Sequence, residues 1–379
     1  MIFDYLTLKV IWWFFISSLF IWFFLFGGRD FGACILLPFL GKTDEERRLI
    51  INSIGPTWEG NQVWFVTAGG ATFAAWPMVY ATAFSGLYYA LILVLFTLIL
   101  RPPGFDYRSK LPNTVWRKTW DGCLFLSGFV PSLVFGVGLG NLLLGLPFHF
   151  DDTLRSHYEG TFFQLLNPFA VLVGLAAVMI MTLHGGTYLQ KKLPNEMAQR
   201  AKKYNVLMGI GFITLFLLLG IWVAWGVNGY QIQSIADLQG NLIPTAKEVV
   251  VVPRAWLSNY EKYHWLWVCP IVTVIAVIFA MISSAKHLTS TAIVMSCVAI
   301  IGALLTANAA MFPFILPSST QPNHSLTLWD SVSSHLTLQH MFWVAIIFLP
   351  VVLGYTAWVF RVMRGKLDKN EILGKVESY

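Results

Sequence analysis

The chain has 379 residues, 56% of them hydrophobic and only 12% charged, with a formal net charge of +6. A soluble globular domain carries about 25% charged residues. Half that share, with apolar runs of about 20 residues recurring along the chain, excludes an ordinary water-soluble domain and indicates an all-α, polytopic membrane protein.

Nine apolar segments long enough to span the hydrocarbon follow in chain order: 8–39, 58–77, 79–100, 120–146, 163–188, 205–228, 264–284, 291–314 and 340–360. The first has no basic region ahead of it and no small-residue cleavage site, so it reads as a retained helix. The sixteen Trp and thirty Phe suit interfacial belts and helix-packing surfaces. Cys34, Cys123, Cys269 and Cys297 stand singly in apolar segments and read as small buried hydrophobes. Nothing marks a soluble domain or a repeat, so residues 1–379 are read as a single transmembrane domain.

The loops alternate sharply in charge. Nineteen of the 25 Lys and Arg residues fall in loops 42–48, 101–118 and 191–203, in Lys286, and in the tail after Phe360; five fall on the opposite side. Positive loops stay in the cytoplasm, which predicts a periplasmic amino terminus, a cytoplasmic carboxy terminus and an odd number of spans. Basic loops also account for the isoelectric point near 9.1, so no nucleic-acid partner is expected. The longer loops, 229–263 and 315–339, fall outside. The second of these reads equally as a cap against a partner or as a surface loop.

Haem ligation needs His or Met placed inside the bilayer. His149, His157, His184, His264, His287, His324, His335 and His340 all fall in loops or near predicted helix ends. The chain is therefore expected to ligate no haem or metal itself and to hold no catalytic residue. His184, the deepest, is expected to hydrogen-bond. "GVGLG" (136–140) follows no strand, which removes a dinucleotide reading. That stretch and "TAGGATFAA" (67–75) read as sites of close helix packing.

The intramembrane ions remain. A charge in hydrocarbon costs at least about 2.5–3.5 kcal/mol, so such residues are functional candidates. Asp30 and Glu59 lie at similar distances from Lys42 and Arg48, about 18 and 16 Å if helical, which predicts similar depth in adjacent segments. With Thr57, Asn61 and Gln62 they suit a proton pathway or a cation site, and Arg29 is the charge partner of one of the acids. A structural ion pair of Arg29 with Asp30 or Glu59 is the plainer alternative.

Several blocks carry a resemblance: "WEGNQVW" (58–64), "TAGGATFAAWPMVYATAFSG" (67–86), "RPPGFDYRSK" (101–110), "GNLLLGLPF" (140–148), "FFQLLNPF" (162–169) and "MFPFILPSS" with "SLTLWDS" (311–331). End to end, in order and spacing, the chain resembles subunit II of the bacterial cytochrome bd ubiquinol oxidases. The resemblance implies nine transmembrane helices, built as two four-helix bundles plus one peripheral helix, in the bacterial inner membrane. It implies pairing with subunit I, which carries haems b and d and oxidises quinol to reduce O2 to water. It leaves open a bound quinone and a small accessory single-helix subunit beside membrane lipid. It also implies a hydrophilic path rising from the cytoplasm. "GGRDFG" (27–32) keeps the second acid of the family's first motif as Asp30, with Gly27 at the first acid and Arg29 at the usual Phe; Thr57 stands at the usual His and Glu59 at the second acid. A secondary transporter with a buried acidic site would show broken helices in both halves, whereas one such stretch is found here. A purely structural or assembly subunit would let its polar residues merely pair.

Overall fold

The computed structural model describes residues 3–235, 238–240 and 243–367. The carboxy terminus at Tyr379, with the tail residues Lys369 and Lys375, and the first two residues at the amino terminus lie outside them. The fold is all-helical apart from three two-stranded antiparallel sheets. In chain order the elements are α1 (Tyr5–Leu40), α2 (Asp44–Ile54), α3 (Trp58–Ala75), α4 (Pro77–Gly86), α5 (Tyr88–Leu98), α6 (Arg101–Tyr107), α7 (Thr114–Leu144), β1 (Phe148–Phe150), β2 (Ser156–Tyr158), α8 (Pro168–Lys192), α9 (Asn195–Trp225), β3 (Asn228–Ile235), β4 (Lys247–Pro253), α10 (Ser258–Lys262), α11 (Val268–Ala285), α12 (Thr289–Met311), β5 (Phe314–Leu316), β6 (Leu326–Thr327) and α13 (His335–Val362).

All nine predicted segments lie on helices. By length and apolarity, however, eight helices among the described residues qualify as membrane spans, and the stretch carrying α3 is not among them. The polar opening of α3 (Glu59, Asn61, Gln62) and its glycines dilute its hydropathy. Pro77 then cuts the helix, because a proline has no N–H to continue the ladder. The predicted third segment is likewise divided, into α4 and α5, at Leu87.

Helices α1, α7 and α8 pack on one another, α3 lies against α1, and α8 continues the contact to α9 and α12. Small residues set the approach of α7 to α8. A Cβ on Gly136 would lie 2.7 Å from the Gly174 Cα, and one on Gly140 would lie 2.6 Å from the Ala170 Cα. "GVGLG" is thus a close-packing stretch, as expected. The glycines of "TAGGATFAA" are not: Gly69 and Gly70 have no other atom within 4 Å of a Cβ built on them and face the outside of the chain. Side chains also stitch α8, α9 and α11 together. The Ser284 hydroxyl donates to Gln190 Oε1 at 2.6 Å, and Asn205 Nδ2 donates to Ser284 Oγ at 3.0 Å.

At the end of the bundle that holds the start of α1, residues 312–334 and the β1–β2 and β3–β4 hairpins form a cap. Loop 315–339 is no plain surface loop, since Leu316, Leu326 and Leu328 are buried there with Leu8, Trp12 and Phe148. Lys9 is fully buried. Its ammonium donates to the carbonyls of Leu238, Gly240 and Trp329, the last at 2.7 Å, and so ties α1 to the cap. Lys247 and Asp330 form an ion pair at 2.8 Å with both side chains about 1% exposed. Asp330 is further held by Thr327 N–H, Thr327 Oγ1 and Ser331 Oγ. Burial pulls the Lys247 ammonium below its usual pKa, while the Asp330 carboxylate pulls it back up.

Removing one partner of a buried pair leaves an uncompensated charge and costs about 3–5 kcal/mol, whereas replacing both with apolar groups is often neutral. Asp330→Leu alone should therefore lower the apparent melting temperature of the detergent-solubilised protein sharply. Lys247→Met with Asp330→Leu should recover most of the loss, and a double variant as unstable as the single one would show that the pair is not coupled.

Candidate functional site

The site forms in the second half of α1, where it crosses α8. Gly32 makes the crossing possible, since a Cβ there would sit 1.9 Å from the Met181 carbonyl oxygen and 2.9 Å from the Gly185 Cα. Asp30, two residues away, is fully buried. Its Oδ2 accepts a hydrogen bond from Asn61 Nδ2 of α3 at 2.7 Å. Its Oδ1 lies 3.7 Å from Arg29 Nε, which is charge contact rather than a hydrogen bond. Of the two acids considered for Arg29, it is Asp30 that the guanidinium meets.

Arg29 itself is held by rings. Its guanidinium carbon sits 4.6 Å from the Tyr188 ring centroid on α8 and 4.2 Å from that of Phe360 on α13. Stacking of this kind favours a cation where water is scarce. The Tyr188 hydroxyl donates to the Ser53 carbonyl of α2 at 2.7 Å, which fixes the ring. Arg29 Nε and Nη2, Asp30 Oδ1, Gln62 Nε2 and Arg101 Nη1 are buried without a protein hydrogen-bond partner. A buried polar group left unmatched costs about 1–3 kcal/mol. Arg29 and Arg101 are the charged neighbours of Asp30, so several of these unmatched atoms gather at one carboxylate.

Of the remaining predicted residues, Thr57 is buried and donates from Oγ1 to the Ile54 carbonyl at 3.3 Å, in the bend between α2 and α3. Glu59 does not join Asp30. Positions 59 and 61 are about 200° apart on a helix, so Asn61 turning inward sends Glu59 outward, where it is exposed. Val63, Val66 and Phe73 continue the same outward face, at 55%, 70% and 60% exposure respectively.

 The depth expected of α3 holds, since Asn61 meets Asp30, but the two acids do not share one site: α3 contributes an amide to Asp30 and turns Glu59 to the outer surface.

Sequence reasoning missed Arg101. It was counted as a loop charge, yet it begins α6 and is fully buried: Nε and Nη2 donate to Ser127 Oγ at 3.3 Å and to the Ser127 carbonyl at 3.1 Å, and the guanidinium lies 4.5 Å from the Phe31 ring centroid. The signal was "RPP", since prolines at the first helical positions start a helix rather than extend a loop. Nearby, Asp121 accepts from Arg47 at 2.8 Å and from Arg108 at 2.5 Å, while Asp44 accepts from Arg108 at 2.9 Å and Arg117 at 2.7 Å. That network braces α2, α6 and α7 below the site.

A haem does not fit on His184. Its Nδ1 lies 2.8 Å from Ser296 Oγ and its Nε2 lies 2.9 Å from the Leu25 carbonyl, so both ring nitrogens are engaged in crossing between helices. No group of three or more His, Cys, Asp or Glu side chains among the described residues is placed to hold a metal ion.

The profile of the Cytochrome bd terminal oxidase subunit II family matches residues 8–363. The chain is 46% identical to cytochrome bd-I ubiquinol oxidase subunit 2 of Escherichia coli (strain K12), over 97% of each chain. It is 28% identical to cytochrome bd ubiquinol oxidase subunit 2 of Bacillus subtilis (strain 168), over 96% of this chain and 98% of that one. In fold it is similar to a chain of the bd oxidase from Geobacillus thermodenitrificans, with a TM-score of 0.69 at 12% identity, covering 95% and 98% of the two chains.

His184→Ala should leave every haem absorption band of the purified complex in place, because the imidazole only bridges α1 and α12. Loss of one specific band with assembly intact would assign His184 as a ligand after all.

Proposed function

The chain belongs to the cytochrome bd terminal oxidase subunit II family, and from that premise we propose that its Asp30 cluster is a proton or cation site serving the haems of the partner subunit. The protein is a subunit of a quinol-oxidising terminal oxidase, an oxidoreductase complex, and a multi-pass protein of the bacterial inner membrane. Its partner is subunit I.

Nine crossings are the reading that the ends of α3 support. Ser333 of the cap donates its N–H to the Ala75 carbonyl at 2.8 Å, while Thr57 at the other end sits on the bend from α2. Eighteen residues between them rise about 27 Å, close to the hydrocarbon thickness. With the eight apolar spans this gives nine, and the excess of Lys and Arg at the α2, α6 and α8–α9 end makes that end cytoplasmic. The cap is then periplasmic.

The observation that carries the functional reading is Asp30: a fully buried carboxylate with one amide donor, one guanidinium at 3.7 Å and unmatched polar atoms around it. A carboxyl group can take up and release a proton at such a place, and the Asn61 and Gln62 amides can orient the water that carries it. Glu59 lies on the outer face of α3, beside Gly60 and Val63, where subunit I would cover it; an acid there hands charge across the interface rather than inward. Haems b and d then belong to subunit I. A bound quinone and a single-helix accessory subunit would find their places, with lipid, on the apolar outer faces of the helices.

Glu59→Gln and Asp30→Asn keep shape and hydrogen bonding but cannot titrate. Each should give a complex with normal haem content and quinol-driven oxygen consumption per haem lowered on the order of tenfold or more, the scale of a lost proton-transfer group. Glu59→Asp should keep more of the rate, and Arg29→Phe should turn over at or above the wild-type level. Unchanged turnover in Asp30→Asn would end the proton reading of the Asp30 cluster, and unchanged turnover in Glu59→Gln would remove Glu59 from it. For topology, a reporter fused after Tyr379 should be active only in the cytoplasm; periplasmic activity would overturn the nine-crossing arrangement.

A further inference from the structure

The chain does not stop at the end of α13. Residues 363–367 fold back across the end of α8, directly over the Arg29 clamp. Lys192, the last residue of α8, is 7% exposed, and its ammonium donates to the carbonyls of Met363 and of Gly365, the latter at 3.1 Å. In return Leu367 N–H donates to the Lys192 carbonyl at 3.0 Å. Lys366 Nζ reaches Asn195 Oδ1 at 3.2 Å, at the start of α9. The Leu367 side chain packs on the apolar cluster of α1, α2 and α8 that includes Leu40, Leu49 and Leu189. One turn earlier, Phe360 covers the Arg29 guanidinium and stacks on Phe26 at 5.6 Å.

These contacts make a continuous series: Asp30, Arg29, the Phe360 and Tyr188 rings, Lys192, and the backbone of 363–367. Its outer end lies at the face assigned above to the cytoplasm. We propose that residues 363–367 are a strap that closes the cytoplasmic mouth of the Asp30 site, with Lys192 as its latch, and that the strap must lift for protons to enter. This rests on the proton reading of Asp30.

The chemistry of the latch suits reversible opening. Lys192 is held by two neutral carbonyls, so when the strap lifts its ammonium exchanges them for water at the surface. Net hydrogen bonds of that kind contribute only about 0.5–1.5 kcal/mol each. Gly365 has no atom of another residue within 4 Å of its Cβ position, and Lys366 is exposed. With few buried contacts among the described residues, such a segment opens at low free energy without unfolding its neighbours.

The test uses the assembled complex carrying Asn195→Cys and Lys366→Cys, bridged after folding by a bis-methanethiosulfonate reagent that spans the gap left by the lysine chain. Mass spectrometry confirms the bridge. Quinol-driven oxygen consumption per haem is measured before bridging, after bridging, and after the bridge is reduced and the reductant removed. The strap predicts a several-fold fall on bridging and recovery on reduction. Turnover unaffected by bridging, while Asp30→Asn still lowers it, would overturn the strap and leave the proton site standing. Turnover unaffected in Asp30→Asn would overturn the proton site and the strap with it.

Discussion

The backbone contact between α1 and α8 is the constraint on which the rest of the site depends. Gly32 meets the Met181 carbonyl, and a Cβ on Gly185 would in turn lie 2.5 Å from the Ala33 nitrogen. Two helices brought together at that separation need small residues on both sides, and any larger side chain would push the axes apart. The contact also sets a register. Met181, Gly185, Tyr188 and Lys192 follow one another along a single face of α8 at helical spacing. The same face therefore supplies the approach at Gly185, the ring beneath Arg29 at Tyr188 and the ammonium at Lys192. His184, one position off that stripe, reaches the Leu25 carbonyl and locks the rotation of the two helices.

Within this frame the buried charges do not balance by simple pairing. Arg29, Arg101 and Lys192 are each at least nine-tenths buried, and Asp30 is the buried acid among them. Each cation is met in a different way. Arg29 takes two aromatic faces and a share of Asp30, Arg101 takes Ser127 and the Phe31 face, and Lys192 takes two carbonyls. Dipoles and rings stabilise a cation without cancelling it, so the surroundings of Asp30 stay positive.

The helical segments were legible because long apolar runs leave little choice of structure in a bilayer. The pairing of Asp30 with Arg29 followed from their being neighbours of opposite charge. The partner from α3 was not legible: depth along a helix can be counted from flanking charges, but rotation about its axis cannot, and a rotation of about 200° separates Asn61 from Glu59. The same ignorance of rotation hid which glycines pack, so Gly136 and Gly140 met a helix while Gly69 and Gly70 met none. Arg101 was lost among loop charges because composition does not tell a solvated arginine from one stacked on a ring. The cap was undecided for a related reason, since Leu326 and Leu328 become a core only when α1 and the β1–β2 hairpin come to meet them.

The two ends of the bundle are held by different kinds of force. At the cap, a lysine with three carbonyls, a fully buried ion pair and a cluster of aromatic and aliphatic side chains tie α1 to segments more than two hundred residues away in sequence. At the end of α8, residues 363–367, the last that the structure describes, are held by backbone and ammonium hydrogen bonds and one leucine. Free energy of local opening follows the density of buried contacts. On the strap proposal, opening falls at the end where Arg29 and Asp30 lie, away from the cap. A site proposed to take protons from one side gains from that asymmetry, because opening at one end does not loosen the seal at the opposite end.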